Sequence, residues 1–144
     1  MKRLFCLLLV AILLILSGCG EKNDALILID ELNEEYEAGE LHSYLVDYRI
    51  DDDKVVFTCN LYIENTTQEN KDFEIFGSYK EDVKSSFILG KEMKAVDIET
   101  QSDLFTLQPL EKKMFEVEFV AHKGDGEEIK ANRLLPEITI LEKA

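Results

Sequence analysis

The sequence contains few of the residues that metal or nucleophilic chemistry requires. Its 144 residues include only two histidines, His42 and His122, and three cysteines. No two of these residues have the spacing of zinc ligands, and no G-x-S-x-G motif presents a serine nucleophile. The seven glycines form no loop of the kind that holds a phosphate. The sequence therefore predicts a protein that is not an enzyme and that has no cofactor and no metal site.

Basic residues are scarce relative to acidic ones. The chain has 30 Asp and Glu against 16 Lys and Arg, which gives a formal net charge of −14. All the acidic residues follow Cys19, whereas Lys2 and Arg3 precede it, so residues 19–144 hold 30 acidic and 14 basic residues and carry −16. Nucleic acid and anionic lipid head groups repel a domain of this charge, which argues against a nucleic-acid partner.

The one long apolar run lies at the N-terminus. After Lys2 and Arg3, residues 4–16 continue for 13 residues without a charge. A membrane-spanning helix needs ~20 apolar residues, so this run is too short to span a membrane. Its length is typical of the apolar core of a signal peptide. The stretch that follows, Leu16-Ser17-Gly18-Cys19, resembles the lipobox of bacterial lipoproteins.

This resemblance implies a signal peptide over residues 1–18 and a lipidated tether over residues 19–24. Cys19 would carry a diacylglyceryl group, and two acyl chains anchor a protein more firmly than one. The membrane is then a partner through this lipid, and the expected location is the extracytoplasmic face of the cell membrane. A signal anchor, or an ordinary signal peptide with a chance cysteine, is the alternative.

Cysteine use agrees with this division of the chain. Cys6 would leave with the signal peptide and Cys19 would carry lipid, so Cys59 has no partner for an internal disulfide. Cys59 shares one face of a predicted strand with Phe57 and Leu61, which predicts a buried cysteine that acts as a small hydrophobic residue.

A short helix is predicted over residues 25–39, since apolar residues recur there at helical spacing. Asn23 or Asp24 would cap its start, and Gly39 would end it. The alternative is a short strand at residues 26–29. The apolar stripe consists of Ala25, Leu28, Ile29, Leu32 and Tyr36.

Beyond Gly39 the apolar residues recur with a period of two, which predicts about seven or eight short antiparallel strands. A sandwich is favoured over a parallel sheet, because parallel strands buried on both faces do not alternate. A turn is predicted at Asp51-Asp52-Asp53, and a hairpin turn is predicted at residues 123–126. The last strand is expected to be broken near Pro136. The predicted strands cover residues 41–50, 54–64, 72–79, 86–89, 93–98, 103–107, 113–121 and 129–141.

Two stretches resemble bacterial immunoglobulin-like lipoprotein domains. Asn65-Thr66-Thr67 follows the longest predicted strand, and Leu107-Gln108-Pro109-Leu110 precedes another, where those domains have a Leu-x-Pro-Gly turn. Leu110 replaces the usual glycine. The resemblance implies an immunoglobulin-like β-sandwich over residues 40–144, preceded by the short helix.

The sequence therefore predicts a non-catalytic binding or accessory module of the bacterial envelope, with another envelope protein as a possible partner. The alternatives are a small hydrolase that uses carboxylates, and a calcium-dependent adhesion module with ligands at Asp51-Asp52-Asp53 or residues 124–128. Outward-facing tyrosines that would form an aromatic binding face, if their strands are neighbours, are Tyr44, Tyr48, Tyr62 and Tyr79.

Overall fold

The computed structural model describes residues 24–30, 41–129 and 133–144. Within these ranges the chain forms one nine-stranded sheet, in which all strand pairs are antiparallel, and one short helix, α1, at Lys80–Lys84. The strands are β1 Leu26–Ile29, β2 Tyr44–Asp51, β3 Lys54–Asn65, β4 Lys71–Ser78, β5 Ile88–Leu89, β6 Met93–Asp97, β7 Phe105–Leu107, β8 Lys112–Lys123 and β9 Glu137–Glu142.

The centre of the sheet is the long pair of β3 and β8, in register from Lys54 opposite His122 to Glu64 opposite Lys112. The other side of β3 pairs with β1 and β2, and the other side of β8 pairs with β5 and β6. Strand β6 then changes partner, because Ala95 pairs with β8 whereas Met93 pairs with β4. Strand β4 also pairs with β7 and β9.

The sheet therefore folds back on itself around one core. A Cβ added to Gly77 of β4 would lie 3.0 Å from Cε1 of Phe119 on β8, so the two strands are in close contact. Phe115 of β8 packs edge-on against Phe73 and Phe105, with ring centres 6.1 and 5.3 Å away. Burying one such side chain stabilises the fold by about 1.5–3 kcal/mol.

The mainly β, antiparallel fold predicted from the sequence is confirmed. The alternation predicted for β3 is also confirmed, since its inward-facing residues have no exposed surface. These residues are Val55, Phe57, Cys59, Leu61 and Ile63.

The helix predicted over residues 25–39 is wrong at its start. Residues 26–29 form β1, and Leu26 to Ile29 pair with Asn65 to Tyr62 of β3. The free edge of β3 provides backbone partners and a buried place for Leu26, which outweighs a helical apolar stripe of low intrinsic stability. The alternative strand at residues 26–29 is therefore confirmed. The remainder of the predicted helix, over 31–39, lies outside the described residues, as do the signal peptide and Cys19.

The hairpin predicted at residues 123–126 is also wrong, because β8 and β9 do not pair with each other. The N–H groups of Gly124 and Gly126 instead donate to the carbonyl oxygens of Phe87 and Ser86, at 2.8 and 2.9 Å. Both sites require glycine, because a Cβ would lie about 2 Å from a backbone oxygen. The last strand, predicted over residues 129–141, begins only after Pro136. The helix α1, between the strands predicted at 72–79 and 86–89, was not predicted.

Candidate functional site

Arg133 occupies an aromatic site in the interior of the protein, with a side chain that is only 8% exposed. Its guanidinium carbon lies 4.7 Å from the ring centre of Tyr48 and 5.4 Å from that of Tyr79. Phe57 and Phe87 lie at 5.5 and 5.6 Å. Four rings from β2, β3 and the segments on either side of α1 thus surround one cation, at distances where cation–π attraction operates.

Asp82 of α1 neutralises this cation. Its two carboxylate oxygens accept hydrogen bonds of 2.9 and 2.6 Å from Nη2 and Nη1 of Arg133. The Asp82 side chain is 5% exposed, so both charges of this two-pronged pair are withdrawn from water. Breaking such a pair leaves an uncompensated buried charge, which is strongly unfavourable.

Two tyrosine hydroxyls hold the surrounding segments in place. Tyr48 donates to the carboxylate of Glu128, and this hydrogen bond, together with burial, raises the pKa of Tyr48. Tyr79 donates to the carbonyl oxygen of Leu134 at 2.7 Å, and burial raises the pKa of its hydroxyl well above the ordinary value. Both tyrosines therefore remain protonated donors at neutral pH.

This arrangement is suited to holding the chain together rather than to chemistry. Arg133 cannot act as a base, and both oxygens of Asp82 are committed to Arg133. Throughout the described residues, no three His, Cys, Asp or Glu side chains converge as a metal site would require. The Arg133 cluster, which consists of Arg133, Asp82 and the four rings, joins the segment before β9 to α1 and β2.

A small groove lies beside the Arg133 cluster. It has a volume of about 230 Å³ and is lined by residues before and within β2 and by the segment around Leu134. Ligand pockets for small molecules usually have ~300–1,000 Å³, so this groove is small for such a ligand. Its lining residues are Asp30, Ser43, Tyr44, Leu45, Arg133, Leu134 and Leu135.

The tyrosines predicted as a possible binding face are divided between different environments. Tyr48 and Tyr79 meet at Arg133. The hydroxyl of Tyr44 accepts a 2.7 Å hydrogen bond from Nδ2 of Asn60, and its ring contacts His42. Tyr62 lies opposite Ile29 of β1. Two of the four tyrosines therefore contact Arg133, and the four do not form one shared outer surface.

Cys59 is buried, as predicted, and burial raises the pKa of its thiol to about 12. His122 lies near the end of β8, opposite Lys54, and His42 lies just before β2. Of the two acidic runs considered for calcium, the first spans the end of β2: Asp51 is the last residue of that strand, and Asp52, with a positive φ, and Asp53 form the turn to β3. In the second run, Glu128 accepts the hydrogen bond from Tyr48.

Asn65 is fully buried at the end of β3, and the segment from Asn65 to Asn70, which leads to β4, is called the Asn65 loop. Its Nδ2 donates to the carbonyl oxygens of Glu69 and Gln108, at 2.7 and 2.8 Å. Its Oδ1 accepts hydrogen bonds from the N–H and the hydroxyl of Thr67. Asn65 therefore links the Asn65 loop to the turn that precedes β8.

The chain matches no protein-family model, no curated protein and no solved structure. None of the helical segments in the described ranges combines the length and the apolar character needed to span a bilayer.

Sequence reasoning missed the Arg133–Asp82 pair because the two residues are 51 positions apart. The only available signal was an Arg directly before two leucines, in Arg133-Leu134-Leu135.

Proposed function

We propose that this protein is a lipid-anchored, extracytoplasmic and non-catalytic binding or accessory module of a bacterial cell envelope. The observation that carries the proposal is Leu16-Ser17-Gly18-Cys19, placed directly after an uncharged apolar run and a basic start. A lipid on Cys19 would keep the acidic domain beside the membrane, while its charge of −16 holds it off anionic head groups.

The domain that this anchor would carry is proposed to be an immunoglobulin-like β-sandwich. The contact of Gly77 with Phe119 supports two packed layers, one containing β3 and β8 and the other β4 and β9. The change of partner along β6 supports the same arrangement, because strands that switch between sheets form the corners of sandwiches.

The non-catalytic part of the proposal is supported by how the buried acids are used. Asp82 holds Arg133, and Asp97 accepts a 2.8 Å hydrogen bond from the N–H of Thr100 within its own turn. A hydrolase that uses carboxylates would require two acids facing one cleft. Both buried acids in the described residues instead have structural partners.

Metabolic labelling of cells with an alkyne fatty acid tests the anchor. We expect Cys19→Ser to abolish the label and to release or mislocalise the protein. Cys6→Ser is the matched control, since it removes a cysteine from the same segment but leaves the lipobox intact, and it should be labelled like the wild type. Continued labelling of Cys19→Ser would refute the assignment.

Crosslinking in intact envelopes, followed by mass spectrometry, tests the binding role. The proposal expects the same partner protein to be recovered with the wild type and with Cys6→Ser. The two alternatives make different predictions: calorimetric calcium binding would favour an adhesion module, and hydrolysis of envelope polymers by the purified full-length protein would favour an enzyme.

A further inference from the structure

The sheet is open between β1 and β9. Strand β1 pairs only with β3, and β9 pairs only with β4, so in the described residues each has one unpaired edge. A cleft of about 400 Å³ lies between the two strands, and we call it the β1–β9 seam. Its lining residues are Asp24, Ala25, Leu26, Leu28, Ile138, Thr139, Ile140 and Glu142.

The hydrogen bonds of β9 show which of its backbone groups face the seam. The N–H of Lys143 donates to the carbonyl oxygen of Asp72, at 2.8 Å, so Lys143 faces β4. Backbone groups along a strand alternate between its two edges, so Leu141 and Thr139 also face β4. The N–H and C=O groups of residues 138, 140 and 142 consequently point into the seam.

The same alternation holds in β1. The N–H of Thr66 donates to the carbonyl oxygen of Ala25, at 2.9 Å, so Ala25 and Ile27 face β3. The backbone groups of Leu26 and Leu28 therefore point away from β3, into the seam. Unpaired backbone groups thus line both sides of one cleft, which is the arrangement that an additional strand can complete.

The side chains of the seam are suited to an apolar strand. Leu26 is buried, and Leu28, Ile138 and Ile140 are half-buried against the core. An inserted strand with an apolar residue at every second position would cover these side chains while its backbone pairs with β9.

The charge of the seam selects a cationic occupant. Among the described residues that line it, the charged ones are Asp24 and Glu142, and none is Lys or Arg. Glu142 forms a 2.5 Å ion pair with Lys71, which leaves Asp24 and the domain's charge of −16 to attract a cation. The same net charge disfavours a second copy of this chain, since two acidic domains repel each other.

We propose that the β1–β9 seam binds an extended, cationic segment of a partner protein as an additional β-strand, antiparallel to β9. Strands β1 and β9 run in opposite directions, because five successive antiparallel pairs connect them through β3, β8, β6 and β4. The added strand therefore runs parallel to β1. This inference rests on the proposed binding role and gives the class of partner.

Fluorescence anisotropy on the full-length lipidated protein in detergent micelles tests this inference. The probe is a labelled peptide of seven residues: a lysine at each end and five alternating valine and threonine residues between them. We expect saturable binding, and we expect N-methylation of alternate amides to weaken it at least tenfold, because a methylated amide cannot donate to the seam. Replacing both lysines with glutamate should also weaken binding.

Two protein variants locate the site. Ile140→Lys places a cation in the seam and should weaken peptide binding at least tenfold. Leu141→Lys is the matched control, since its exposed side chain adjoins residue 140 while its backbone faces β4, and it should bind like the wild type. The comparison of N-methylated and unmethylated peptides uses only the wild type, so it remains decisive if Ile140→Lys fails to fold.

Failure of all peptides to bind at millimolar concentration would overturn the inference, as would equal binding of the methylated peptide. Equal binding of the lysine and glutamate peptides would overturn the cationic preference. Concentration-dependent dimers lost in Ile140→Lys would identify a second copy as the occupant. If the peptides fail while envelope crosslinking still recovers a partner, the binding role stands and only the seam is rejected.

Discussion

The Arg133 cluster and the Asn65 loop contrast with the β1–β9 seam in how polar groups are satisfied. The side-chain amide of Asn65 is used at both its nitrogen and its oxygen, and Asp82 is matched on both oxygens, so that among the described residues of the Arg133 cluster only Nε of Arg133 is buried without a partner. In the seam, alternate backbone groups of β1 and β9 have no strand to pair with among the residues that the structure describes. The difference indicates that stability is concentrated where the sheet is closed, and that the capacity to bind remains where it is open.

The largest loss of stability should follow a change in the Arg133 cluster. Asp82→Ala leaves the buried guanidinium without its counter-charge, and we expect the free energy of unfolding to fall by about 3–5 kcal/mol. Urea denaturation followed by circular dichroism measures this loss.

The matched control for this change lies on the same helix. Glu81 is exposed and pairs with Lys84 across one turn of α1, so Glu81→Ala should lower stability by no more than about 0.5 kcal/mol. Equal effects of Asp82→Ala and Glu81→Ala would show that the buried pair is not what holds α1 to the segment before β9.

A smaller loss is expected at Asn65. Asn65→Ala removes the hydrogen bonds to Glu69, Gln108 and Thr67 and leaves buried carbonyl groups without donors, so stability should fall by about 2–3 kcal/mol. Thermal melting and urea denaturation measure it. Asn70→Ala, in the exposed part of the same loop, should change stability by less than about 0.5 kcal/mol. A near-neutral Asn65→Ala would contradict the role of this residue as the link between the two loops.

The smallest effect should be a gain in stability at Leu110. This exposed residue has a φ of 59° in the turn after Pro109, a conformation in which a side chain is strained by about 1 kcal/mol. Leu110→Gly relieves this strain but loses about 0.4–1 kcal/mol to the greater freedom of glycine in the unfolded chain, so we expect a net gain of no more than about 0.5 kcal/mol in urea denaturation. Leu104→Gly, at an exposed leucine without a positive φ, should destabilise it; a loss of stability in both variants would rule out strain at Leu110.

Much of the fold could be predicted from the sequence, because alternating apolar residues identify half-buried strands directly. The long strands β3 and β8 are examples, since buried and more exposed residues alternate along most of each. The start of the predicted helix failed because pairing with β3, a tertiary contact, outweighed the local pattern of residues 26–29. The hairpin at Gly124 failed because its N–H groups bind the segment at Ser86 and Phe87, which no local rule reveals.

The candidate sites were less predictable than the fold. Cys59 could be assigned to the core because its neighbours on the strand face are apolar. Arg133 and Asp82 could not be paired, since nothing in their local sequences indicates that each residue faces the other. The seam was likewise beyond prediction, because it depends on which edges of β1 and β9 remain unpaired.

Hydrogen exchange of β9 amides, measured by NMR with and without the lysine-ended peptide, tests the central claim most directly. In the free protein, we expect the amides of Ile138 and Ile140 to exchange at least tenfold faster than those of Thr139 and Leu141, which face β4. Peptide binding should slow the fast pair and leave the slow pair unchanged. Uniform protection along β9 in the free protein, or fast amides that the peptide does not slow, would contradict an open seam that accepts a strand.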